Sequence, residues 1–177
     1  MRRGALTVAA AALLIGTVAP AAPALLPDAT FEDTGGRTLA LAALRGRVVV
    51  IVYGTRGAMD LHSAWGRRVD GDLRARGVYR ADDAVNQRPV QILALAQMGG
   101  IPGSFRGLVR AWVSSHVPKD FPLWLDWEDS MSALFGDRGD LSTVVIADRD
   151  GAVRLVVSGP PLGAAWKQVS DLLRALT

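Results

Sequence analysis

The chain has 177 residues, half of them apolar, a formal net charge of +3 and no cysteine. Such a length and apolar content suit one domain with its own core and exclude wholesale disorder. The missing thiols exclude disulfides and thiol-based redox chemistry, because that exchange needs a thiolate nucleophile. Arg2 and Arg3 account for most of the positive excess, and the other arginines alternate with aspartates, so no basic tract points to nucleic acid.

Met1-Arg2-Arg3-Gly4 is a short positive start, residues 5–15 are uncharged and apolar, and Ala22-Pro23-Ala24 supplies a small-residue cleavage pattern. Residues 1–24 are therefore predicted to be a signal peptide, leaving a mature domain of residues 25–177 exported to the periplasm or another extracytoplasmic compartment. Left uncleaved, residues 5–24 would have the length of a membrane anchor, although Ala, Gly and Pro make a weak one.

Residues 25–37 read as an extended lead-in with a turn, residues 38–41 as a short strand and residues 42–44 as a helical turn. Residues 48–53 are an unbroken β-branched run, the pattern of a parallel strand buried on both faces, and are taken as the central strand. In residues 59–76 the period changes. Leu61, Trp65, Val69 and Leu73 recur every fourth position, giving an amphipathic helix that stops at Gly77. Residues 78–88 read as a loop and residues 89–97 as the next strand. After a Gly-rich turn at residues 99–103, Ser104 is placed to cap a helix through residue 115, with Phe105, Leu108, Val109, Trp112 and Val113 as its buried stripe. Residues 121–125 form a short strand and residues 129–135 a short helix. Residues 142–147 and 153–158 flank Asp148-Arg149-Asp150-Gly151, the strongest hairpin signal in the chain. A last helix over residues 163–176 buries Trp166, Val169, Leu172, Leu173 and Leu176.

Few residues suggest chemistry. Thr55 and Arg56 follow the central strand, and Arg56 beside open backbone N–H groups is a possible anion-binding residue. A solvated arginine in a Gly-rich turn is the plainer alternative. His62 and His116 are the only histidines, too few for an all-histidine metal site, and both read as structural. Asp126, Glu128 and Asp129 with Trp124 and Trp127 could ligate calcium or face a partner, but more simply place carboxylates at a helix start. Trp65, Trp112 and Trp166 fall on apolar helix faces and read as core. No cofactor and no metal is called for.

The order of elements, with Leu26-Pro27-Asp28 and Phe31, Leu44-Arg45-Gly46-Arg47 before the central strand, Phe121-Pro122-Leu123 before Asp126, and the Asp148–Gly151 hairpin, resembles the exported thioredoxin-like proteins of the redoxin and peroxiredoxin-like branches. The resemblance implies a three-layer α/β fold with a mixed central sheet and helices on both faces. In that family the reactive cysteine stands where the central strand meets the first helix. The matching window here is Thr55, Arg56, Gly57, Ala58, Met59 and Asp60, and the nucleophile position falls on Gly57 or Ala58. A cis-proline usually faces that motif; the matching loop is Leu141, Ser142 and Thr143, where a trans bond and an altered loop are expected because a non-proline cis bond is costly. The resemblance thus implies a redox-inactive domain that acts by binding another exported or envelope protein. A thiol-independent enzyme built on Thr55 and Arg56, or an accessory subunit tethered by residues 5–24, are the alternatives.

Overall fold

The computed structural model describes residues 25–117 and 123–177. The predicted signal peptide, and the first two residues of the strand predicted at 121–125, lie outside the described residues. Among the described residues the chain runs β1 (Thr30–Asp33), β2 (Thr38–Ala40), β3 (Val48–Gly54), α1 (Met59–Ala75), β4 (Val90–Gln97), α2 (Arg106–His116), β5 (Leu123–Asp126), α3 (Ser130–Phe135), β6 (Thr143–Ala147), β7 (Val153–Ser158) and α4 (Gly163–Leu176). The strands form one sheet in the order β2-β1-β5-β4-β3-β6-β7. Strands β3, β4 and β5 are parallel neighbours, while β6 pairs antiparallel with both β3 and β7.

All seven residues of β3 are buried, which explains why its sequence shows no polar alternation. Val48, Val50 and Val52 meet Trp65, Val69 and Leu73 of α1 and Val169 and Leu173 of α4. Val49, Ile51 and Tyr53 face the other way, toward Phe31, Leu41, Leu44 and Met131 of α3. Helix α2 covers the far end of the sheet, where Val113 packs with Ala94, Ala96, Leu123 and Leu125. Removing a Val or Leu side chain from water at such positions stabilises by about 1.5–3 kcal/mol each. The three-layer, mixed-sheet architecture expected from the sequence is present, centred on β3.

Several local expectations need correction. The buried stripe of α1 is His62, Trp65, Val69 and Leu73; Leu61 is only half-buried. Ser104 caps no helix, because residues Gly103–Phe105 form a separate 3-10 turn and α2 starts at Arg106 without a side-chain cap. Phe105, Leu108 and Trp112 are 55%, 69% and 43% exposed, so most of the stripe assigned to the core faces solvent. Val109 and Val113 are the α2 residues turned to the sheet, which carries Leu108 and Trp112, one helical step away, toward solvent, while Phe105 lies in the 3-10 turn before the helix. Trp112 leaves the tryptophan core, and Trp166 is half-buried with its ring 6.3 Å from that of Trp65.

Candidate functional site

Strand β3 delivers the chain to Gly54, where three elements converge. A β-carbon there would stand 3.1 Å from the Leu141 carbonyl oxygen, 3.2 Å from His62 Nε2 and 3.4 Å from the Ala58 β-carbon. Gly54 is the residue that lets the 141 loop, the start of α1 and the end of β3 pack this closely. The loop is tied down on both sides. Tyr53 donates its hydroxyl to the Gly136 carbonyl at 2.7 Å, and Thr55 donates to the Gly139 carbonyl at 3.0 Å. Buried Ser142 donates to the Ala58 carbonyl at 3.3 Å, and its own carbonyl accepts from the Gly159 N–H at 2.9 Å. Thr143 shares a hydroxyl hydrogen bond of 2.9 Å with Ser158. Among the described residues no peptide bond is cis, so the loop at Leu141-Ser142-Thr143 carries the trans bond expected of it.

Thr55 leads into a 3-10 turn, Arg56–Ala58, and α1 begins at Met59 with no side-chain cap. Gly57 is exposed, Ala58 is buried, Met59 packs toward the α2 cluster, and Asp60 sits exposed in the first turn of α1. Nothing at Gly57 or Ala58 can act as a nucleophile. Instead the carboxylate of Asp140, on the tied-down loop, lies against Gly57, and a β-carbon added at Gly57 would collide with Asp140 Oδ1. Asp140 carries no signal in the sequence, since the contact joins two loops far apart in the chain.

Arg56 is exposed and lays its guanidinium carbon 4.9 Å from the centroid of the Trp112 ring, which in turn stacks on His116 at 4.4 Å. An arginine over an indole is held by charge–quadrupole attraction. Among the described residues Arg56 belongs to no salt bridge, so its charge stays available to an anion. His116 ends α2, with Nδ1 2.8 Å from the Trp112 carbonyl.

His62 is fully buried, and neither ring nitrogen has a hydrogen-bond partner among the described residues. Burial pushes its pKa below the ordinary value, partly offset by the nearby Tyr53 backbone. The sequence could have revealed this position, because residues 62, 65, 69 and 73 follow helical spacing as well as 61, 65, 69 and 73 do.

The acidic, aromatic segment is structural at each member. Asp126 Oδ2 accepts the Met131 N–H at 3.1 Å, capping the start of α3 from a distance. Glu128 pairs with Arg106 at 2.7 Å. Asp129, at a φ of 50°, turns its carboxylate to accept the Gly99 N–H at 2.8 Å, and a β-carbon on Gly99 would collide with it. In the hairpin, burial disfavours the Asp148 carboxylate, but Arg154 and the N–H groups of Ala152 and Asp150 outweigh it and hold its carboxyl below the usual range. Among the described residues no group of three His, Asp or Glu is placed to hold a metal, and no helix is long and apolar enough to cross a membrane.

No family model and no curated protein matches the sequence. Solved structures do. A protein described as the thiol:disulfide interchange protein DsbE, from Chlorobium tepidum, superposes with a TM-score of 0.59 at 19% identity, covering 89% of this chain and 99% of that one. A protein described as a protein disulfide isomerase from Bacteroides thetaiotaomicron gives 0.58 at 17% identity, covering 88% and 89%. The exposed lipoprotein thioredoxin Etrx1 of Streptococcus pneumoniae gives 0.53 at 16% identity, covering 82% and 99%. These likenesses span nearly the full length of each partner and agree with the sheet order built up from β3. The chain has the thioredoxin-like fold, and it has it without a single cysteine.

Proposed function

We propose that the protein is an exported, redox-inactive thioredoxin-like domain that works as a binding or accessory protein. It would offer another envelope protein the surface at the end of β3, where thioredoxin-like proteins carry their redox motif. One observation carries this reading: the window expected to hold a nucleophile, at Gly57 or Ala58, has no reactive group and a carboxylate laid against Gly57, while large apolar side chains are exposed on α2 and the loops before β6 and α4. Leu108 and Trp112 on α2 and Phe105 in the turn before it are exposed, as are Leu141 and Leu162 on the loops before β6 and α4. Arg56 joins the stripe to the emptied loop through Trp112. Exposed aromatics beside an arginine are what protein-contact surfaces concentrate. Export is supported by the N-terminal sequence pattern and by likeness to an exposed lipoprotein.

The test is site-specific photo-cross-linking in the native cell. A photoreactive side chain at Leu108 should give a discrete adduct that disappears with Arg56→Ala, and the same probe at Arg149, on the hairpin turn, should give none. Identical patterns at the two positions would overturn the binding reading. Intact mass of exported material lacking residues 1–24 is expected; retention in the cytoplasm contradicts the export half. Turnover in a disulfide-reduction assay by the purified protein contradicts the redox-inactive half.

A further inference from the structure

A groove of about 440 Å³ lies away from the emptied loop, between the flank of α1, the loop after it and β4. We propose that this groove binds a small amphipathic carboxylate, a free monocarboxylic acid with an apolar body. Its floor is hydrocarbon: Val52, Val90, Ile92 and Ala94 line it from the sheet. Helix α1 leaves room there because two of the residues it turns toward the groove, Ser63 and Gly66, carry little or no side chain. Val85, on the facing loop, is 52% exposed and gives the groove an apolar lip. The volume falls in the range of small-molecule sites.

The rim selects the charge. Arg67, Arg74 and Arg88 all line the groove against one carboxylate, Asp70. Asp70 is already heavily used: it accepts the Tyr79 hydroxyl at 2.9 Å and pairs with Arg74 at 2.8 Å and Arg88 at 3.7 Å. Arg88 is also fixed, stacked over Tyr79 and donating to the carbonyls of Asp83 and Ala81. Arg67 has no acidic partner among the described residues. The rim therefore keeps a positive excess over an apolar floor, with Arg67 able to take both oxygens of a carboxylate. A carboxylate head on Arg67 and an alkyl body along Ile92 and Ala94 satisfies both halves. A neutral body would leave the guanidinium unpaired, and a cation would be repelled.

Calorimetric titration of the purified protein with octanoate, 1-octanol, octyltrimethylammonium and acetate tests this. Octanoate should bind saturably, at least tenfold tighter than octanol or acetate, and the cation should not bind. Arg67→Glu should weaken octanoate at least tenfold, while octanol is unchanged. Amide shifts in the unaltered protein should move at Ser63, Gly66 and Ile92 and stay still at Arg56 and Gly57, which keeps the test independent of how any variant folds. No saturable binding at about 1 mM octanoate, equal affinity for octanol, or shifts confined to the Arg56 loop would each overturn the proposal. So would binding to anionic lipid vesicles with none to monomeric octanoate. The groove and the Arg56 edge are separate surfaces, so failure here leaves the protein-binding reading standing.

Discussion

The carboxylate of Asp140 rests against Gly57, one of the two positions, with Ala58, at which the resemblance to thioredoxin-like proteins leads one to expect a reactive cysteine. The helix start that would stabilise a thiolate is still present, but an anion already stands beside it. Gly57 is not in the left-handed backbone region, so a side chain there would meet no backbone strain, only the exposed carboxylate of Asp140, which must shift to admit it.

A cysteine placed at this position should therefore be a poor nucleophile. In Gly57→Cys the thiol is expected to titrate higher than in the double variant Gly57→Cys/Asp140→Asn, by about one pKa unit. The pH dependence of alkylation by iodoacetamide reads the difference. Superimposable profiles would mean that Asp140 swings away and has no electrostatic hold on the site.

His62 makes stability depend on pH in the neutral range. Its folded form holds a proton less tightly than the unfolded chain does. As pH falls below about 6.5, the unfolded chain takes up a proton that the folded one refuses, and stability declines by up to about 1.4 kcal/mol per pH unit. Urea unfolding at pH 7.5 and pH 5.5 should show this loss in the parent and not in His62→Leu. An equal loss in both would place the effect elsewhere.

Asp33 and Asp148 act in a lower window. Burial works against both carboxylates, yet hydrogen bonds prevail: Arg37 and the Gly35 N–H at Asp33, Arg154 and the turn N–H groups at Asp148. Their depressed folded values give stability that is present above about pH 4 and lost as pH drops through those values. Asp148→Asn should cost about 1 kcal/mol at neutral pH, and the penalty should shrink in acid. A penalty independent of pH would show that the ion pair with Arg154 contributes nothing.

Trp112 and Trp65 look alike in sequence and should behave oppositely. Trp65 is fully buried and donates its indole N–H to the Gly159 carbonyl at 2.7 Å, so Trp65→Ala should cost about 3–5 kcal/mol. Trp112→Ala should cost under about 1 kcal/mol, because the ring is 43% exposed. Comparable losses in chemical denaturation would mean that α2 is covered where this structure leaves it open.

That contrast also marks where the sequence was readable. The β-branched run at β3 and the Asp148–Gly151 turn announced themselves, because double-sided burial and a D-G hairpin leave few alternatives. Helical spacing alone could not tell the buried α1 stripe from the solvent-facing one on α2. Both have the same period, and what separates them is which face meets the sheet: on α2 it is the side of Val109 and Val113, so Leu108 and Trp112 are left outside. The emptied window was legible as a lack of thiols. Its occupant, Asp140, was not, because proximity between two loops leaves no periodic trace. The unpartnered nitrogens of His62 depend in the same way on the 141 loop closing over Gly54.

The contact between Asp129 and Gly99 couples change at the two positions. With the acid where it is, a β-carbon at 99 would overlap the Asp129 carboxylate, which would have to move and give up the Gly99 N–H. A shorter residue at 129 removes the obstruction but leaves the amide of Gly99 to seek another acceptor. The two positions are therefore read together: a side chain added at 99 displaces the acid, and a change at 129 alters what holds the Gly99 amide.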